Sequence, residues 1–424
     1  MKYNVVIVGG GAAGMFAAVG ALEKGVNPLI IEKMPRLGTK LLITGKGRCN
    51  ITNSTEDIEY FVENMPGNGA FLYSAFYTLT NKQLLDFFHS LGLQTKTERG
   101  GRVFPVSDKA VDVVRILTKY LKSKGTKIIL DTPVKGLIIK DSKINGVTTA
   151  SGVINAKAVI ITTGGVSYPR TGSTGDGYKL AKEAGHTIIP PQPALVPLET
   201  YEKWPKDLQG LTLKNVEVTA LQNDKKLGKE FGEMLFTHFG VSGPIILTLS
   251  RSIVSALKNK SADITLSINL KPALTAEQID KRLQRDFEKY SRKQFKNSLG
   301  DLLPKSLINQ FIKLSGVNPE KSVNQITREE RERIVNLLRN LELTVKKPRP
   351  LSEAIVTAGG VNVDEVDPSS MASKKVTGLY FAGEVLDIDG YTGGFNLQAA
   401  FSTGYLGGLS AAEYVKSMCN IKDQ

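Results

Sequence analysis

A glycine pattern near the start of the sequence has the spacing of a phosphate-binding turn. Gly9, Gly11 and Gly14 form GxGxxG, and Glu32 stands downstream of them. In turns of this kind glycine permits a tight bend, a close approach of the backbone to a pyrophosphate, and close packing of helix on strand. A carboxylate placed like that of Glu32 can accept hydrogen bonds from both ribose hydroxyls. The pattern therefore predicts a site for an adenine dinucleotide.

The elements that must position these residues form a βαβ unit. Residues 5–8 are β-branched and predict a strand, residues 15–24 predict a helix, and residues 26–31 predict a second strand that ends at Glu32. The helix N-terminus would offer free N–H groups and a positive dipole to the phosphates. Residues 3–22 are also uncharged, as in a signal peptide or a membrane span, but their glycines interrupt a hydrophobic helix. We therefore reject both of those interpretations.

A second glycine-rich stretch covers residues 37–53 and carries several cations. Gly45 and Gly47 constrain its backbone, and we interpret the stretch as a second cradle for phosphate and for a flavin ring. The alternative is a solvated basic loop. Cys49 stands beside Arg48, which can lower the pKa of a thiol, although the small size of cysteine is reason enough for its presence in a cradle.

A third glycine-rich stretch lies in the last part of the sequence. Residues 379–382 predict a strand that is capped by Gly383 and Glu384, and Gly394 opens a helix that runs to Leu409. A carboxylate after such a strand suits ribityl hydroxyls. A helix N-terminus suits the flavin O2 atom, where negative charge grows as the ring is reduced.

Five stretches together resemble one family of flavoproteins: residues 9–14, 45–50, 162–178, 235–244 and 381–398. On these motifs the sequence is similar, over nearly its whole length, to the BaiN-like or aminoacetone oxidase-like FAD-binding flavoproteins. The resemblance implies non-covalently bound FAD and an α/β fold of the two-dinucleotide-binding-domain flavoprotein type. In that fold a Rossmann-like FAD-binding domain carries an inserted β-rich, barrel-like domain and a helical subdomain.

The same resemblance implies a set of residues around the cofactor. Val134 would contact the adenine through its backbone, within two strands of residues 127–139 that we expect to pair with each other. Phe395 stands where some relatives carry tyrosine, so a hydrogen bond from that hydroxyl would be absent. The proposed cofactor-binding residues are Gly9, Gly11, Ala13, Gly14, Glu32, Lys33, Lys40, Gly45, Gly47, Arg48, Cys49, Asn50, Val134, Thr163, Gly164, Gly383, Glu384, Gly394, Asn396 and Leu397.

A cluster of prolines between residues 190 and 197 predicts a domain boundary, because clustered prolines cannot continue a helix or a central strand. Alternating residues from 198 to 270 predict antiparallel strands, and residues 275–340 predict helices separated by turns. The expected domains are residues 1–190 for the first part of the FAD-binding domain, 191–272 for the first part of the β-rich domain, 273–341 for a basic helical subdomain, 342–352 for the return strand, and 353–424 for the rest of the FAD-binding domain.

Three residues are candidates for acid–base chemistry or substrate binding. Tyr168 and Arg170 follow a predicted strand, which would place them near the flavin. Tyr168 would donate a proton and Arg170 would bind a carboxylate or a phosphate, but hydrogen bonds that hold their loop explain both residues equally well. His238 would be a general base if it lined the site, although its aromatic neighbours Phe236 and Phe239 favour a histidine of the core.

Composition narrows the chemistry further. The two cysteines, Cys49 and Cys419, are far apart, and the three histidines have no metal-ligand spacing. The sequence therefore predicts no disulfide framework, no metal site and a reducing, cytoplasmic compartment. Redox chemistry then needs an organic cofactor, with FAD bound in the cradles and NAD(P)H as a candidate transient electron donor.

Positive charge is concentrated in one segment. The net charge is +14, and residues 271–349 hold 18 Lys and Arg against 10 Asp and Glu. Such an excess favours anionic partners. We interpret the segment as a solvated helical insertion, or as an electrostatic funnel for a small anionic substrate.

The expected function is that of an FAD-dependent oxidoreductase with a small-molecule substrate. The resemblance implies either oxidation of a small amine or ketone, or NAD(P)H-linked reduction of an enone, and leaves both open. The alternatives are a non-catalytic flavin-binding module and a nucleic-acid-associated flavoprotein similar to tRNA-modifying ones, whose basic insert would bind RNA with a steep salt dependence. No RNA motif with interleaved aromatic residues is present, so we expect neither a nucleic-acid partner nor a membrane. Nothing in the sequence predicts the oligomeric state.

Overall fold

The computed structural model describes residues 2–258 and 263–420, with side chains described as far as residue 418. These residues form two compact units. The first unit consists of the residues up to Pro193 together with those from Leu351 onward, and the second is the continuous stretch Ala194–Pro350. The first unit is thus built from two separate segments of the chain.

The elements of both units are numbered in chain order. The α-helices are α1 (Ala12–Glu23), α2 (Ile58–Glu63), α3 (Tyr73–Thr78), α4 (Asn81–Ser90), α5 (Ala110–Ser123), α6 (Asp176–Glu183), α7 (Pro244–Leu257), α8 (Ala276–Lys289), α9 (Lys305–Ser315), α10 (Arg328–Arg339) and α11 (Phe395–Asn420). The strands are β1 (Lys2–Val8), β2 (Leu29–Ile31), β3 (Thr52–Asn53), β4 (Thr95–Glu98), β5 (Arg102–Pro105), β6 (Lys127–Ile129), β7 (Val134–Lys140), β8 (Lys143–Thr149), β9 (Gly152–Ile161), β10 (Ile188–Ala194), β11 (Leu198–Thr200), β12 (Thr212–Gln222), β13 (Lys225–Thr237), β14 (Gly240–Ser242), β15 (Ile264–Asn269), β16 (Leu341–Pro348), β17 (Val356–Val361) and β18 (Leu379–Phe381). Among the described helices, none combines the length and the apolar composition that a bilayer span requires.

The first unit contains a mixed sheet with a parallel centre. Its strand order is β6-β2-β1-β9-β8-β7, and β18 pairs with β9. The central strand β1 runs parallel to both β2 and β9, and β18 also runs parallel to β9. Val5, Val6 and Ile7 of β1 are fully buried, as expected for a parallel strand that is covered on both faces. The predicted Rossmann-like α/β fold is confirmed.

The expected pairing of two strands within residues 127–139 is wrong. β6 pairs in parallel with β2, whereas β7 pairs antiparallel with β8. The short connection between β6 and β7 resembles a hairpin turn in sequence, but its N–H groups donate to the segment that follows β2. Those of Asp131 and Thr132 donate to the carbonyls of Met34 and Glu32, at 3.3 and 3.0 Å. The connection therefore follows the end of β2 and separates the two strands.

Helices α1 and α11 pack in parallel at very short range. A Cβ atom on Gly404 would lie 2.2 Å from the carbonyl oxygen of Ala13, and one on Gly408 would lie 2.0 Å from that of Ala17. Only glycine permits this approach. Because α11 begins at Phe395, well before Gly404, its N-terminus extends about 13 Å beyond the first turn of α1 at about 1.5 Å per residue. The two N-termini therefore point in the same direction and are offset along it.

The second unit is a closed antiparallel barrel with helices packed against it. The strand order of the barrel is β11-β14-β13-β12-β15-β16. Alternate residues such as Val218 and Ala220 of β12, and Leu266 and Ile268 of β15, are fully buried and belong to a core that includes residues of α8, α9 and α10. The predicted barrel and helices are confirmed, and they share one core. Helix α7 lies inside the stretch that was expected to contain only strands.

The loop after β17 is anchored by the carboxylate of Glu365. This carboxylate accepts hydrogen bonds from the N–H and the hydroxyl of Thr187, both at 2.8 Å, and from Lys375 Nζ at 2.7 Å. Burial alone would raise the pKa of Glu365, but these donors outweigh burial and lower the pKa to about 2. The folded state is therefore stabilised above the ordinary pKa of 4.5, and this stabilisation is lost as the pH falls toward 2.

We expect Glu365→Gln to lower the free energy of unfolding by about 2 kcal/mol near neutral pH, because three donors lose a charged acceptor. The difference from the parent protein should narrow as the pH falls below about 4. Urea unfolding at a series of pH values measures it. Glu320→Gln, which removes an exposed ion pair with Lys296, is the control and should change stability by less than about 1 kcal/mol. A difference that does not vary with pH would contradict this role of Glu365.

Candidate functional site

The turn between β1 and α1 contains two kinds of glycine. Gly9 has a φ of +105°, and a Cβ atom on Gly14 would lie 1.9 Å from the carbonyl oxygen of Gly9. The fold of the chain therefore requires glycine at both positions, whether or not a ligand is bound. Gly11 differs, because its φ of −78° suits any residue and a Cβ atom there would meet no atom of the described residues within 4 Å. The lack of a side chain at Gly11 keeps a space open at the N-terminus of α1. This space fits a ligand phosphate, which the free N–H groups of the first helical turn would bind.

Several buried polar atoms of the described residues have no hydrogen-bond partner, and two of them belong to residues that adjoin or form the glycine-rich turns. These two are Thr163 Oγ1 and Asn50 Oδ1. The backbone of Thr163 adjoins the glycine turn, since its Cα would lie 3.1 Å from a Cβ atom on Gly9, whereas its Oγ1 faces Gly177, where a Cβ atom would lie 2.1 Å away. A buried polar atom without a partner costs about 1–3 kcal/mol, and a bound ligand that pairs with it removes that cost. The open space at Gly11, together with the unpaired Asn50 Oδ1 beside the Gly45 turn, fits the FAD that the sequence predicts.

The Glu32 carboxylate closes the glycine turn from the end of β2. Its Oε2 accepts the N–H of Gly10 at 2.6 Å, and its Oε1 accepts that of Met34 at 2.8 Å. Each oxygen keeps a second lone pair that can accept from a ribose hydroxyl. The N–H of Thr132 donates to the backbone carbonyl of Glu32, which brings the segment leading to Val134 next to this carboxylate. The arrangement suits a ribose and an adenine at this end of the site.

The ends of β9 and β18 come close to the first turn of α1. A Cβ atom on Gly383, whose φ is +76°, would lie 2.7 Å from the Cβ of Ala13. Gly164, in the loop after β9, also has a positive φ, of +71°. Glycine at Gly383 therefore allows the end of β18 to approach the helix N-terminus.

A cluster of polar contacts joins four segments that are far apart in sequence. Glu384, directly after β18, accepts hydrogen bonds from Lys40 Nζ at 2.6 Å, from Ser167 Oγ at 3.1 Å and from the Thr357 N–H at 2.9 Å. Lys40 Nζ also donates to Ser167 Oγ at 2.7 Å. The side chains of Lys40 and Glu384 are 22% and 21% exposed, so water screens their ion pair only weakly. The structure thus brings two predicted site residues together.

Removing either charge of the Lys40–Glu384 pair should destabilise the first unit. Glu384→Gln and Lys40→Met each leave one shielded charge without its partner, and each should lower the free energy of unfolding by about 2–4 kcal/mol. The loss of stability in the double variant should be about 1–3 kcal/mol smaller than the sum of the two single losses, since neither charge is then left without its partner. Chemical unfolding of the four proteins measures the coupling. Strict additivity would show that the two charges do not interact.

Two further cations that were expected to bind the cofactor, Lys33 and Arg48, have protein partners. Lys33 pairs with Asp176 at 2.6 Å. Arg48 pairs with Glu98 at 2.8 Å, and its guanidinium lies 3.9 Å from the centre of the Phe104 ring. Arg48 thus holds the loop of the second cradle in place, and Lys33 joins the segment after β2 to α6. A direct contact from either one to the cofactor stays a prediction.

The backbone of the same loop is strained. Gly45, Lys46, Gly47 and Cys49 have positive φ angles between 56° and 84°. Lysine and cysteine rarely adopt this conformation, and strain of this kind is concentrated at ligand sites. Successive N–H groups in such turns form concave nests that bind anions. The loop is therefore suited to hold an anionic group through its backbone.

The suggestion that Arg48 lowers the pKa of Cys49 is wrong. Cys49 is fully buried, and burial raises the pKa of its thiol to about 12 despite a hydrogen bond with Thr44. The guanidinium of Arg48 is engaged with Glu98 and the Phe104 ring instead. Cys49 is a free, inert thiol, and the side chain of Cys419 lies outside the described residues.

The N-terminus of α11 packs against β3. Gly394 has a φ of +104°, and a Cβ atom on it would lie 2.3 Å from the carbonyl carbon of Thr52. The Asn396 side chain holds the preceding loop, since it accepts the N–H of Gly390 at 2.8 Å and donates to the Gly390 carbonyl at 2.7 Å. Leu397 follows in the first helical turn and is partly buried. Gly394 and Asn396 thus fix the direction of the helix N-terminus.

Tyr168 and Arg170 lie in the loop after β9. Tyr168 has a φ of +50°, and its N–H donates to the Ser352 carbonyl at 3.3 Å. Burial, and to a smaller degree the charge of Glu353, raise the pKa of Tyr168, so the phenol keeps its proton at neutral pH. Arg170 is exposed, and no ion pair of its guanidinium is found within residues 2–258 and 263–420. The loop therefore presents one proton donor and one open cation.

His238 is exposed in the turn between β13 and β14, with the Phe239 ring edge-on at 4.9 Å. The expectation of a core histidine is wrong, because the neighbouring Phe236 takes the buried position. His238 belongs to the second unit, and its role as a base stays a prediction. In the part of the chain that the structure describes, no group of three or more His, Cys, Asp and Glu side chains has the geometry to hold a metal ion.

The model of the HI0933-like protein Rossmann domain matches residues 3–410 of the chain. The chain belongs to the HI0933-like family. A 3-dehydro-bile acid delta(4,6)-reductase of Clostridium scindens is 34% identical to this HI0933-like chain over 413 residues, which cover 97% of the chain and 99% of the relative. A ribosomal RNA dihydrouridine synthase of Haemophilus influenzae is 31% identical over 412 residues, covering 96% and 97%. Among solved structures, a 3-ketosteroid delta1-dehydrogenase from Sterolibacterium denitrificans has a similar fold, with a TM-score of 0.53, 13% identity, and coverage of 98% of this chain and 100% of that one.

The HI0933-like protein is therefore an FAD-dependent oxidoreductase, as the sequence predicted. The structure adds two residues that sequence reasoning missed, Ser167 and Thr357. Thr357 is fully buried, accepts the N–H groups of Val166 and Ser167, and donates its own N–H to Glu384. The available signal was a threonine two residues before a glycine pair, Gly359 and Gly360, in a strand that is mostly buried.

Proposed function

We propose that this HI0933-like flavoprotein reduces a carbon–carbon double bond that is conjugated to a carbonyl group. The observation that carries the proposal is the agreement between relatives that cover nearly the whole chain. One is named as a bile acid delta(4,6)-reductase, and another as a synthase of dihydrouridine, which is uridine with the double bond of its base reduced. These substrates differ in size and charge, but the reduced bond is of one chemical class. The agreement favours a reductase over an amine oxidase.

The residues that would hold FAD lie in the first unit. The N-terminus of α1 at Gly11 would bind the pyrophosphate, and Glu32 would bind a ribose. The N-terminus of α11 at Phe395 would stabilise negative charge on the reduced ring. The offset of about 13 Å between the two helix N-termini suits a cofactor bound in an extended form. When bound, FAD supplies the hydride chemistry.

Reduction of a conjugated double bond also requires a proton on the second carbon. We assign this proton to the Tyr168 hydroxyl, whose raised pKa keeps it protonated. Arg170, an exposed cation, would bind the substrate carbonyl or an anionic group next to it. The residue before Tyr168, Ser167, donates to Glu384 and so fixes this loop to the end of β18. Electrons would come from transiently bound NAD(P)H.

A second candidate substrate is a uracil base within RNA. The observation that favours it is the concentration of positive charge in residues 271–349, with 18 Lys and Arg against 10 Asp and Glu. A small uncharged enone has no need of such a surface, whereas a phosphodiester backbone binds to it. The reaction at the double bond would be the same for both substrates.

Anaerobic visible spectroscopy tests the proposal. The yellow protein is mixed with NADH or NADPH without oxygen, and then with 2-cyclohexenone or a 3-oxo-4-ene steroid. We expect the nicotinamide to bleach the flavin band, and the enone to restore it with formation of one saturated product per flavin. Bleaching by a small amine, reversed only by oxygen, would contradict the proposal in favour of the oxidase alternative. A band that no donor bleaches would indicate a non-catalytic flavin-binding module.

A further inference from the structure

We propose that helix α8 of the second unit carries a binding surface for the phosphate backbone of RNA. The inference rests on the proposed function, since it names the partner in which a reducible base would be presented. The α8 surface is defined as the groove along α8 that is lined by Lys281, Arg282 and Arg285, with Leu274 and Gln278 at its edge. Its volume is about 640 Å³.

The cations of the α8 surface lack enough anions to neutralise them. Lys281 and Arg285 are one helical turn apart and exposed, and no ion pair is found for either one among the described residues. Arg282 lies between them, contacts the Asp286 carboxylate at 3.4 Å and donates to the Asp301 carbonyl at 3.3 Å. Glu288 is the acid that lines the groove. Three of the residues that line the groove are therefore cations and one is an acid, while Asp286 contacts Arg282 from outside the lining.

A fourth cation, Lys271, is partly buried near Arg282. Burial lowers the pKa of Lys271, and the charge of Arg282 lowers it further. No carboxylate within ion-pair distance of Lys271 is found in the described chain. A shielded ammonium beside a guanidinium is unfavourable unless an anion pairs with both. A bound phosphate would supply that missing charge.

The cations are presented on a rigid face. The opposite side of α8 carries Ile279, Leu283 and Phe287, which are buried in the core that α8 shares with the barrel. Cations held one helical turn apart can contact successive phosphates of a backbone, which surface lysines on flexible loops do less well. The groove lining contains no aromatic side chain, so we expect phosphate contacts without base stacking.

The test is equilibrium RNA binding by the oxidised holoprotein, in which no turnover occurs. A fluorescein-labelled RNA stem–loop with uridines in its loop is titrated at several KCl concentrations, and fluorescence anisotropy gives the Kd. The variant Lys281→Gln/Arg285→Gln removes two cations of the α8 surface. The control Lys305→Gln/Lys313→Gln removes two exposed cations of α9 and changes the net charge equally.

We expect the parent protein to bind RNA with a steep salt dependence. The α8 variant should bind about tenfold more weakly, and the slope of log K against log salt should fall by about 1.5, because two phosphate contacts are lost. The control should bind like the parent. The inference would be overturned if both variants bound RNA equally weakly, or if the parent protein bound no RNA. It would also be overturned if the parent protein bound vesicles of anionic phospholipid as tightly as it binds RNA.

Reduction of 2-cyclohexenone, measured on the same preparations, separates this inference from the proposed function. A protein that binds RNA through the α8 surface but reduces no conjugated double bond contradicts the proposed function alone. A protein that reduces the enone but binds no RNA contradicts the α8 surface alone.

Discussion

Gly11→Val is expected to give a folded protein that no longer retains FAD. The backbone at Gly11 suits any residue, and a Cβ atom there meets no described atom within 4 Å, so the fold tolerates the side chain. The same side chain fills the space at the N-terminus of α1 that we assign to the pyrophosphate. We expect the Kd for FAD to rise at least about 100-fold, which corresponds to about 2.7 kcal/mol. Flavin content after purification and quenching of FAD fluorescence on titration measure the loss.

Two other glycines provide matched controls. Gly14→Val should destabilise the fold itself, because its Cβ atom would lie 1.9 Å from the Gly9 carbonyl oxygen. Gly300→Val adds the same side chain in open space in the second unit and should change neither the Tm nor the flavin content. If Gly11→Val keeps its flavin, or unfolds as Gly14→Val does, the assignment of the pyrophosphate to this turn is wrong.

Tyr168→Phe is expected to lower kcat for reduction of the conjugated double bond by about 100-fold or more, the usual effect of losing a general acid. Phenylalanine keeps the ring that fills this partly buried position, so the Tm should change little. Bleaching of the flavin by NAD(P)H does not need the phenol and should keep its rate within about twofold. Stopped-flow measurement of the two half-reactions separates them. Slowing of both half-reactions to the same degree would indicate a displaced loop and not a lost proton donor.

Tyr77→Phe is the control for this variant. Tyr77 is 65% exposed in the same unit, so removal of its hydroxyl should leave both half-reactions unchanged. A normal kcat for Tyr168→Phe would transfer the role of proton donor to another group, and His238 would be the next residue to substitute.

The sequence predicted those parts of the site that are formed by residues close to one another in the sequence. The turn from Gly9 to Gly14 needs only a strand, a bend and a helix in order, and all three are encoded within residues 2–23. The barrel strands were predicted for the same reason, because alternation along one strand already marks its buried face. Patterns within short stretches of sequence were therefore enough to predict the fold class and the glycine turn between β1 and α1.

The parts that the sequence did not predict depend on contacts between distant segments. Glu384 is positioned by Lys40, Ser167 and Thr357, and no local pattern reveals that these three residues converge on one carboxylate. Likewise, nothing near Arg48 shows that Glu98 draws its guanidinium away from Cys49.

Helix α7 was missed for a different reason. Its buried residues Ile245, Ile246, Leu249 and Ile253 have helical spacing over a segment of 14 residues, so periodicity and length both favoured a helix, but the segment lies between strands on both sides. The context of neighbouring strands then favoured the wrong interpretation.

The construction of the first unit from two segments affects the order of events during synthesis. β1 and α1 leave the ribosome early, but β18 and α11 follow only after the whole second unit. That unit is continuous and its ends are close together, since Leu198 pairs with Pro348 and the Arg349 N–H donates to the Pro197 carbonyl at 2.9 Å. Its folding shortens the loop that must close before α11 reaches α1. With FAD held by residues of both segments, as we propose, flavin capture is a late step, and the yellow colour would report that translation and folding of both segments are complete.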